Sequence, residues 1–282
     1  MAIVIGDYNR KGGVGKTSSI INIAAQFAMN GKRVLLIDGD SQTNLTQYFY
    51  EGDEDIFENG LLRKGVDTLY EVLEQDLNIF NTIYSMEFTA RRKWGNRFRK
   101  VSCNLDIVLG SRDMDYYGTE DAGILKEKLK VVDDLYDYIF IDFPPAHNVV
   151  TMMFLVACDY VIVPLHLAKN SSAHGYRDVI ERCREARDEY GNKKLQVLGL
   201  FYNNVQIYKT DQKMMYEYSM DPDTKKSMRL FDTTIRHDYS SIQISEADRQ
   251  PVCISCGNSD IAKDYKKLVK EMENRIKEER VE

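Results

Sequence analysis

A glycine-rich segment near the start of the chain carries the residues best suited to chemistry. Residues 9–19 read Asn-Arg-Lys-Gly-Gly-Val-Gly-Lys-Thr-Ser-Ser, after the apolar run Ala2–Ile5 and before a helical pattern of apolar side chains. Glycines let backbone N–H groups surround an anion, and the N-terminus of a helix favours negative charge. Lys16 can reach the β- and γ-phosphates, and the Thr17 hydroxyl can ligate Mg²⁺. The segment therefore predicts a site for a nucleoside triphosphate, formed by Lys11, Gly12, Gly13, Val14, Gly15, Lys16, Thr17 and Ser18.

The loop departs in one place from the common phosphate-loop pattern, G-x-x-x-x-G-K-[ST]. That pattern has glycine at the position of Arg10, and this chain instead has a second lysine, Lys11, at the start of the loop. The Gly-Lys-Thr end of the pattern is intact, so the prediction of phosphate binding stands.

Two further apolar runs end in carboxylates. Leu35–Ile37 leads into Asp-Gly-Asp at 38–40, and Tyr138–Ile141 leads into Asp142, which is followed by Phe-Pro-Pro. The C-terminal ends of parallel strands beside a phosphate loop are where Mg²⁺ and an attacking water are handled. We expect that Asp38 and Asp40 together contact the Mg²⁺ ion and the attacking water. We expect Asp142 to organise the Mg²⁺ together with the Thr17 hydroxyl.

Composition narrows the class of protein. The 282 residues are 43% hydrophobic and 29% charged, which is typical of a globular chain with a sizeable core. The net charge of −6 and the pI near 5.4 argue against binding nucleic acid over the whole surface, but leave room for a local basic patch. Five cysteines in a chain of this length do not indicate a secreted disulfide framework. No run approaches about 18 apolar residues and the first strand starts near Met1, so we expect a cytoplasmic protein without membrane contact.

Apolar runs of strand length alternate with helical stretches, which is typical of a parallel sheet covered on both faces. The predicted strands lie near 2–7, 33–38, 105–109, 138–142, 160–164, 195–201 and 228–231. The predicted helices lie near 16–30, 119–135, 172–190, 206–219 and 259–279. The expected fold is α/β, a P-loop NTPase with a mostly parallel twisted sheet flanked by helices on both faces, in a single domain over residues 1–282.

Residues 51–104 interrupt this alternation. An acidic stretch leads to a short helix expected near 67–74, and a basic cluster follows at 91–100 with Trp94 and Phe98 among its cations. One interpretation is a solvated surface excursion held by the two aromatic side chains. The other is a set of cations that contact nucleic-acid phosphates. We favour the first.

Three motifs together resemble the deviant Walker-motif ATPases, and most of all the ParA ATPases of chromosome and plasmid partition. They are Lys-Gly-Gly-Val-Gly-Lys-Thr at 11–17, Leu-Leu-Ile-Asp-Gly-Asp-Ser-Gln-Thr-Asn at 35–44 and Ile-Asp-Phe-Pro-Pro-Ala at 141–146. Segments within 157–164, 231–236, 245–252 and 264–265 continue the resemblance, which covers nearly the whole chain outside 51–104. The resemblance implies ATP and Mg²⁺ as cofactors and slow ATP hydrolysis that a partner stimulates.

The resemblance also implies a role for each motif residue. Lys11 matches the signature lysine, which reaches across a nucleotide-sandwich dimer to the partner's phosphates. Lys16 and Thr17 match the phosphate lysine and the Mg²⁺ hydroxyl. Asp40 matches the carboxylate that orients the hydrolytic water, and Asp142 matches the Walker B aspartate.

The adenine side of the site is less clearly marked. The strand end Phe-Tyr-Asn-Asn resembles the one that meets the base, so Asn203 and Asn204 are candidate base contacts. Two departures from the family pattern occur: Ser41 stands where proline is common, and Arg236-His237 stands where Pro-Arg is usual near the base.

Partners follow from the same resemblance: an ATP-dependent homodimer, a centromere-binding adaptor of the ParB type, and DNA bound without sequence preference. No segment precedes the first strand, so we expect the N-terminal helix-turn-helix extension of the larger partition ATPases to be absent. Basic residues towards the C-terminal half are the favoured DNA contacts, namely Lys209, Lys213, Lys225, Lys226, Arg229 and Arg236.

The sequence Cys-Ile-Ser-Cys at 253–256 keeps a second class of function open. A branch of the superfamily carries an iron–sulfur cluster on a C-x-x-C near its C-terminus, and Cys253 and Cys256 would be the ligands here. The segment also has the pattern of a buried strand, in which cysteine is a small apolar side chain.

A membrane-positioning ATPase of the MinD type is a third interpretation. The acidic ending Lys-Glu-Glu-Arg-Val-Glu argues against it, because it lacks the apolar surface of a membrane helix.

Overall fold

The computed structural model describes residues 1–59, 61–94, 97–146, 148–167, 172–206 and 226–280, without the side chains of 91–94, 97–99 and 172–176. The strands within these ranges are β1 (Ile3–Asp7), β2 (Val34–Asp38), β3 (Phe57–Glu58), β4 (Leu61–Leu62), β5 (Ile83–Trp94), β6 (Arg97–Val108), β7 (Tyr138–Asp142), β8 (Tyr160–His166) and β9 (Gln196–Asn203). The α-helices are α1 (Lys16–Met29), α2 (Asn44–Tyr50), α3 (Leu69–Glu74), α4 (Ile124–Leu129), α5 (Val149–Ala157), α6 (Ser172–Asp188), α7 (Tyr239–Asp248), α8 (Val252–Ser255) and α9 (Asp260–Glu279).

Seven strands form one sheet in the order β5-β6-β2-β7-β1-β8-β9. All neighbours pair in parallel except β5, which pairs antiparallel with β6. Strands β1, β2 and β7 are buried along their whole length, which explains why their sequences are continuous apolar runs and do not alternate. The predicted α/β fold with a mostly parallel sheet is confirmed.

Helices cover both faces of the sheet. The core on one face is built with α1 and α9, and the core on the other with α4, α5 and α6. Helix α9 begins after Ser259, whose hydroxyl accepts a hydrogen bond from Ala262 N at 3.3 Å. Its buried side chains recur every three or four residues, so a single stripe of the helix faces the sheet.

Several predicted elements differ from the structure. The strand expected near 228–231 is reduced to an isolated bridge between Leu200 and Leu230. The helix expected over 119–135 is only α4, because the backbone beyond it binds elsewhere: Asp133 O accepts from Ala2 N at 3.1 Å, and Asp134 O accepts from the Arg33 guanidinium at 3.0 Å. The helix predicted near 206–219 lies almost wholly outside the described residues.

The segment 51–104 is not only a surface excursion. It contains the small hairpin β3–β4 and helix α3, but its second half supplies β5 and most of β6, two strands of the main sheet. The strand expected near 105–109 is the end of the twelve-residue β6. The antiparallel ladder joins residues 83–94 and 97–104 to the sheet. This pairing tests neither interpretation of the basic side chains at 91–100, and both stay predictions.

Candidate functional site

The glycine-rich loop connects the C-terminal end of β1 to the first turn of α1. Gly13 and Gly15 adopt positive φ angles of 72° and 84°, which other L-residues rarely adopt. A Cβ atom on Gly15 would also lie 2.3 Å from Asn203 Nδ2, so glycine is required there for space as well as for conformation. Around the loop, Lys11, Gly12 and Gly13 are exposed, whereas Lys16 is buried.

Polar side chains from neighbouring strands hold the loop in place. Asn9 accepts a hydrogen bond from Lys11 N at 2.9 Å and donates one to Pro164 O at 2.8 Å. His166, at the end of β8, places Nε2 2.8 Å from Gly13 O. No local sequence signal marked His166, since its partner lies 153 residues away.

Asn203, like Asn9 and His166, holds the loop in place through hydrogen bonds. Its side-chain amide donates to Val14 O at 2.9 Å and to Ser19 Oγ at 3.3 Å, and the residue is buried. An amide bonded in this way positions the phosphate loop, and the contact of Asn203 with the base stays a prediction.

Three aspartates end the three central strands side by side. In the strand register Asp7 pairs with Asp142, and Asp38 also pairs with Asp142, so the row runs across β1, β7 and β2. All three side chains are fully buried. Asp7 was not among the predicted site residues. The signal was available, because the C-terminal ends of adjacent parallel strands meet at one edge of a sheet.

Asp142 lies where a magnesium ligand is expected. Thr17 Oγ1 donates to Asp142 Oδ2 at 2.6 Å, so the structure brings these two predicted ligands together. Among the described residues, Asp142 Oδ1 and both oxygens of Asp7 are buried without a hydrogen-bond partner. Burial, and then the carboxylate of Asp38, raise the pKa of Asp142 to about 8. Burial and the neighbouring Asp142 likewise raise the pKa of Asp7 well above its ordinary value.

Asp38 has a different environment. Asp38 Oδ2 accepts from both the backbone N and the hydroxyl of Thr46, at 2.8 and 2.6 Å, and Oδ1 accepts from Asp40 N at 3.3 Å. Gly110 N donates to the same Thr46 hydroxyl at 2.8 Å, and a Cβ on Gly110 would lie 2.7 Å from Asp38 Cγ. Burial raises the pKa of Asp38 to about 6. These hydrogen bonds hold the turn after β2, and the role of Asp38 as a Mg²⁺ ligand stays a prediction.

Asp40 lines a cavity beside the phosphate loop. The cavity has a volume of about 590 Å³, and its wall includes Lys16, Thr17, Asp40 and Pro145. Asp40 Oδ1 accepts from Gln42 N at 3.0 Å, and burial raises the pKa of Asp40 above its ordinary value. Asp40, which is predicted to orient the water, therefore lines the same cavity as Lys16 and Thr17, which are predicted to bind the phosphates and Mg²⁺.

A second cavity, of about 200 Å³, lies on the other side of the loop. Gly13, Gly15 and Ser18 line both cavities, so an elongated ligand at the loop can extend into each. Asn204 Oδ1 lies 2.5 Å from His237 Nδ1 in the wall of the second cavity.

Arg236 also lines this second cavity, but two carboxylates hold its side chain. Its guanidinium donates to both oxygens of Asp264, at 2.6 and 2.9 Å, and to Asp260 at 3.2 Å. Arg236 was a candidate DNA contact, and this pairing compensates its charge within the fold.

Cys253 lies in the short helix α8 and Cys256 directly follows it, so the strand predicted for this segment is wrong. Cys253 is 3% exposed and packs in the core, while Cys256 is partly exposed and lies at the end of the helix. Among the described residues, no group of three or more His, Cys, Asp or Glu side chains is placed to hold a metal ion by itself. None of the described helices combines the length and apolar character needed to span a bilayer.

Comparison with known proteins decides the family. The AAA domain family matches residues 2–197 of this chain. The chain belongs to the AAA domain family. The chromosome-partitioning ATPase Soj of Treponema pallidum is 27% identical over 273 residues, which span 94% of each chain. With the motifs above, the chain is a ParA/MinD-type ATPase, as its sequence predicts.

Solved structures agree on the fold of this ATPase. A plasmid partition protein from Borrelia burgdorferi superposes with a TM-score of 0.69 at 24% identity, covering 98% of this chain and 100% of its own. Cobyrinic acid a,c-diamide synthase from Mycobacterium smegmatis, with an ATP analogue and magnesium bound, gives 0.69 at 21% identity, covering 96% and 93%. At these identities the likeness establishes the P-loop fold of the ParA/MinD-type ATPase.

The buried aspartates make the stability of the ATPase depend on pH. Asp142 and Asp38 have folded-state pKa values of about 8 and about 6, both above the unfolded value of about 3.9. Their contribution is therefore complete below the unfolded pKa and is lost as pH rises through the folded values. We expect the nucleotide-free protein to melt at a lower temperature at about pH 8 than at about pH 5, and Asp142→Asn to reduce this slope. Thermal melts of both proteins across this range test it, and equal slopes would contradict it.

Proposed function

We propose that this chain is an ATP-dependent DNA partition ATPase that segregates a plasmid or chromosome. The observation that carries the proposal is the loop at 11–18 between two cavities, with the Thr17 hydroxyl bonded to Asp142. The reaction is hydrolysis of ATP to ADP and phosphate. We further propose that residues 1–282 form one ATPase domain, since β5 and β6 of the divergent segment are part of its sheet.

The residues present fit ATP with Mg²⁺. The larger cavity would take the phosphates and the smaller one the nucleoside, with Gly13, Gly15 and Ser18 between them. Mg²⁺ is held in proteins by one or two carboxylates together with substrate phosphates, and the unpartnered Asp142 Oδ1 supplies such an oxygen beside Thr17. When bound, the ion would neutralise charge on the β- and γ-phosphates.

Three side chains of the protein have roles in hydrolysis and dimer formation. Lys16, buried under the loop, stabilises negative charge on the transferred phosphate. Asp40, in the wall of the phosphate cavity, orients the attacking water. A lone carboxylate without a supplied arginine finger gives weak basal turnover. Lys11 is exposed at the rim of the loop, where it can reach the phosphates held by a second subunit.

The proposed cycle couples these steps to DNA. ATP joins two subunits as a sandwich dimer, the dimer binds DNA without sequence preference, and a ParB-type adaptor stimulates hydrolysis and release. The ATPase then acts in the cytoplasm, on the nucleoid when ATP is bound. An iron–sulfur carrier using Cys253 and Cys256 is less well supported, because Cys253 is packed in the core.

The experiment that tests this function is retention of plasmid DNA by purified protein, with and without ATP and Mg²⁺. We expect retention to increase with ATP and to weaken steeply as salt is raised, because binding releases counterions from DNA. Random-sequence and plasmid DNA of equal length should bind alike. Protein that binds no DNA with ATP, and that carries iron and sulfide after purification, would support the cluster carrier instead.

A further inference from the structure

The antiparallel pair β5–β6 is much longer than its place in the sheet requires. Twelve cross-strand pairs run from Ile83–Val108 to Trp94–Arg97. Strand β2, the other neighbour of β6, pairs only with residues 106–108. Strand β6 is parallel to β2, so its N-terminal part extends past the β2 ladder. It points towards the end of the sheet that lies opposite the phosphate loop. We call residues 91–94 and 97–100 the basic ribbon.

The base of the hairpin is anchored in the core. Tyr84, Met86, Phe88 and Ala90 alternate along β5 and pack against the core on the α1 face. The Phe88 ring lies 5.5 Å from that of Phe49 in α2. This apolar alternation ends at Ala90, whereas the backbone ladder continues for four more pairs. The ribbon therefore continues about 13 Å past its anchor, at about 3.3 Å per residue.

The sequence of the ribbon concentrates positive charge. Its eight residues include six cations, Arg91, Arg92, Lys93, Arg97, Arg99 and Lys100, and no acidic residue occurs between Glu87 and Asp106. The register pairs Arg91 with Lys100 and Arg92 with Arg99. Since the whole chain has a net charge of −6, the rest of it carries −12. Like charges directly opposite each other destabilise a sheet, so this arrangement indicates an anionic partner.

The C-terminal basic residues offer a weaker alternative. Arg229 forms an ion pair with Glu279, and Arg236 pairs with Asp264 and Asp260. Lys226 is exposed, while Lys209, Lys213 and Lys225 lie outside the described residues. The two arginines of the set favoured from sequence are thus compensated within the fold.

We propose that the basic ribbon is the element by which this ATPase binds duplex DNA, a proposal that rests on the proposed function. Two strands about 4.8 Å apart fit a major groove about 12 Å wide, which admits a two-stranded β-ribbon. Six cations near phosphates predict a slope of log affinity against log salt of up to about −5. The ribbon has two aromatic residues among its eight, which is too little apolar area for stable insertion into a lipid surface.

The test compares two triple variants with equal loss of charge. The ribbon variant is Arg92→Gln, Arg97→Gln and Arg99→Gln. The matched control is Lys266→Gln, Lys267→Gln and Lys270→Gln, at exposed positions of α9. Fluorescence anisotropy with a labelled random-sequence duplex, in ATP and Mg²⁺, should show the ribbon variant weakened on the order of 10²-fold, with a salt slope smaller by about three. The control should bind like the wild type.

Further measurements separate the outcomes. ATP-dependent dimerisation and basal ATPase activity should be unchanged in the ribbon variant, which shows that it folds. Wild-type and ribbon-variant proteins with equal DNA affinity would overturn the ribbon proposal alone. A wild type that binds no DNA with ATP would overturn the proposed function and the ribbon proposal together. Vesicles containing anionic lipid are the second probe, and tighter ribbon-dependent binding to them than to DNA would also overturn the proposal.

Discussion

Replacing Asp40 with alanine is expected to abolish steady-state ATP hydrolysis while leaving ATP binding intact. Asp40 lines the phosphate cavity, and its carboxylate accepts a hydrogen bond from Gln42 N at 3.0 Å. It does not hold the glycine loop, whose braces are Asn9, Asn203 and His166. Loss of a group that positions or activates the attacking water lowers turnover by about 10²- to 10⁴-fold.

The measurement is release of phosphate from ATP, beside equilibrium binding of a fluorescent ATP analogue. Asp115→Ala is the matched control, since Asp115 is an exposed carboxylate close enough to influence Asp40 electrostatically. Asp40→Asn keeps an oxygen for the Gln42 N–H but removes the charge, so it should also be inactive. A rate for Asp40→Ala equal to that of the wild type would assign the water to another residue.

Local sequence patterns predicted the parts of the site that are built locally. The loop at 11–18 needs glycine at two positive φ angles and a following helix, and both requirements appear within a few residues. Asp142 could be predicted because it ends an apolar run, and parallel strands place such ends beside the loop. The same reasoning would have found Asp7, which ends β1 in register with Asp142.

Contacts between distant residues could not be predicted from sequence. Asp38 has the same local pattern as Asp142, yet its carboxylate accepts two hydrogen bonds from Thr46 in helix α2. Asn203 meets a backbone carbonyl 189 positions away, and Arg236 meets Asp264 through the packing of α9. The length of β5 and β6 was missed because a basic, Gly-interrupted sequence lacks the apolar pattern by which strands are recognised.

Removal of either loop lysine is expected to prevent ATP-dependent dimerisation, for two different reasons. Lys16 is buried under the loop, so Lys16→Ala should lose ATP binding and with it the dimer. Lys11 is exposed at the rim, and the cradle formed by the glycines, Lys16 and Thr17 does not need its side chain. Lys11→Ala should therefore still bind ATP as a monomer, while the exposed control Lys193→Ala should dimerise normally.

Sedimentation velocity of the Asp40→Ala protein, with ATP and Mg²⁺, tests the central claim most directly. The variant should keep its ATP unhydrolysed, so the account predicts a stable dimer with ATP and a monomer without it. Adding Lys11→Ala to the same protein should return it to a monomer that still binds ATP. An Asp40→Ala protein that binds ATP yet remains a monomer would contradict the sandwich-dimer ATPase proposed here.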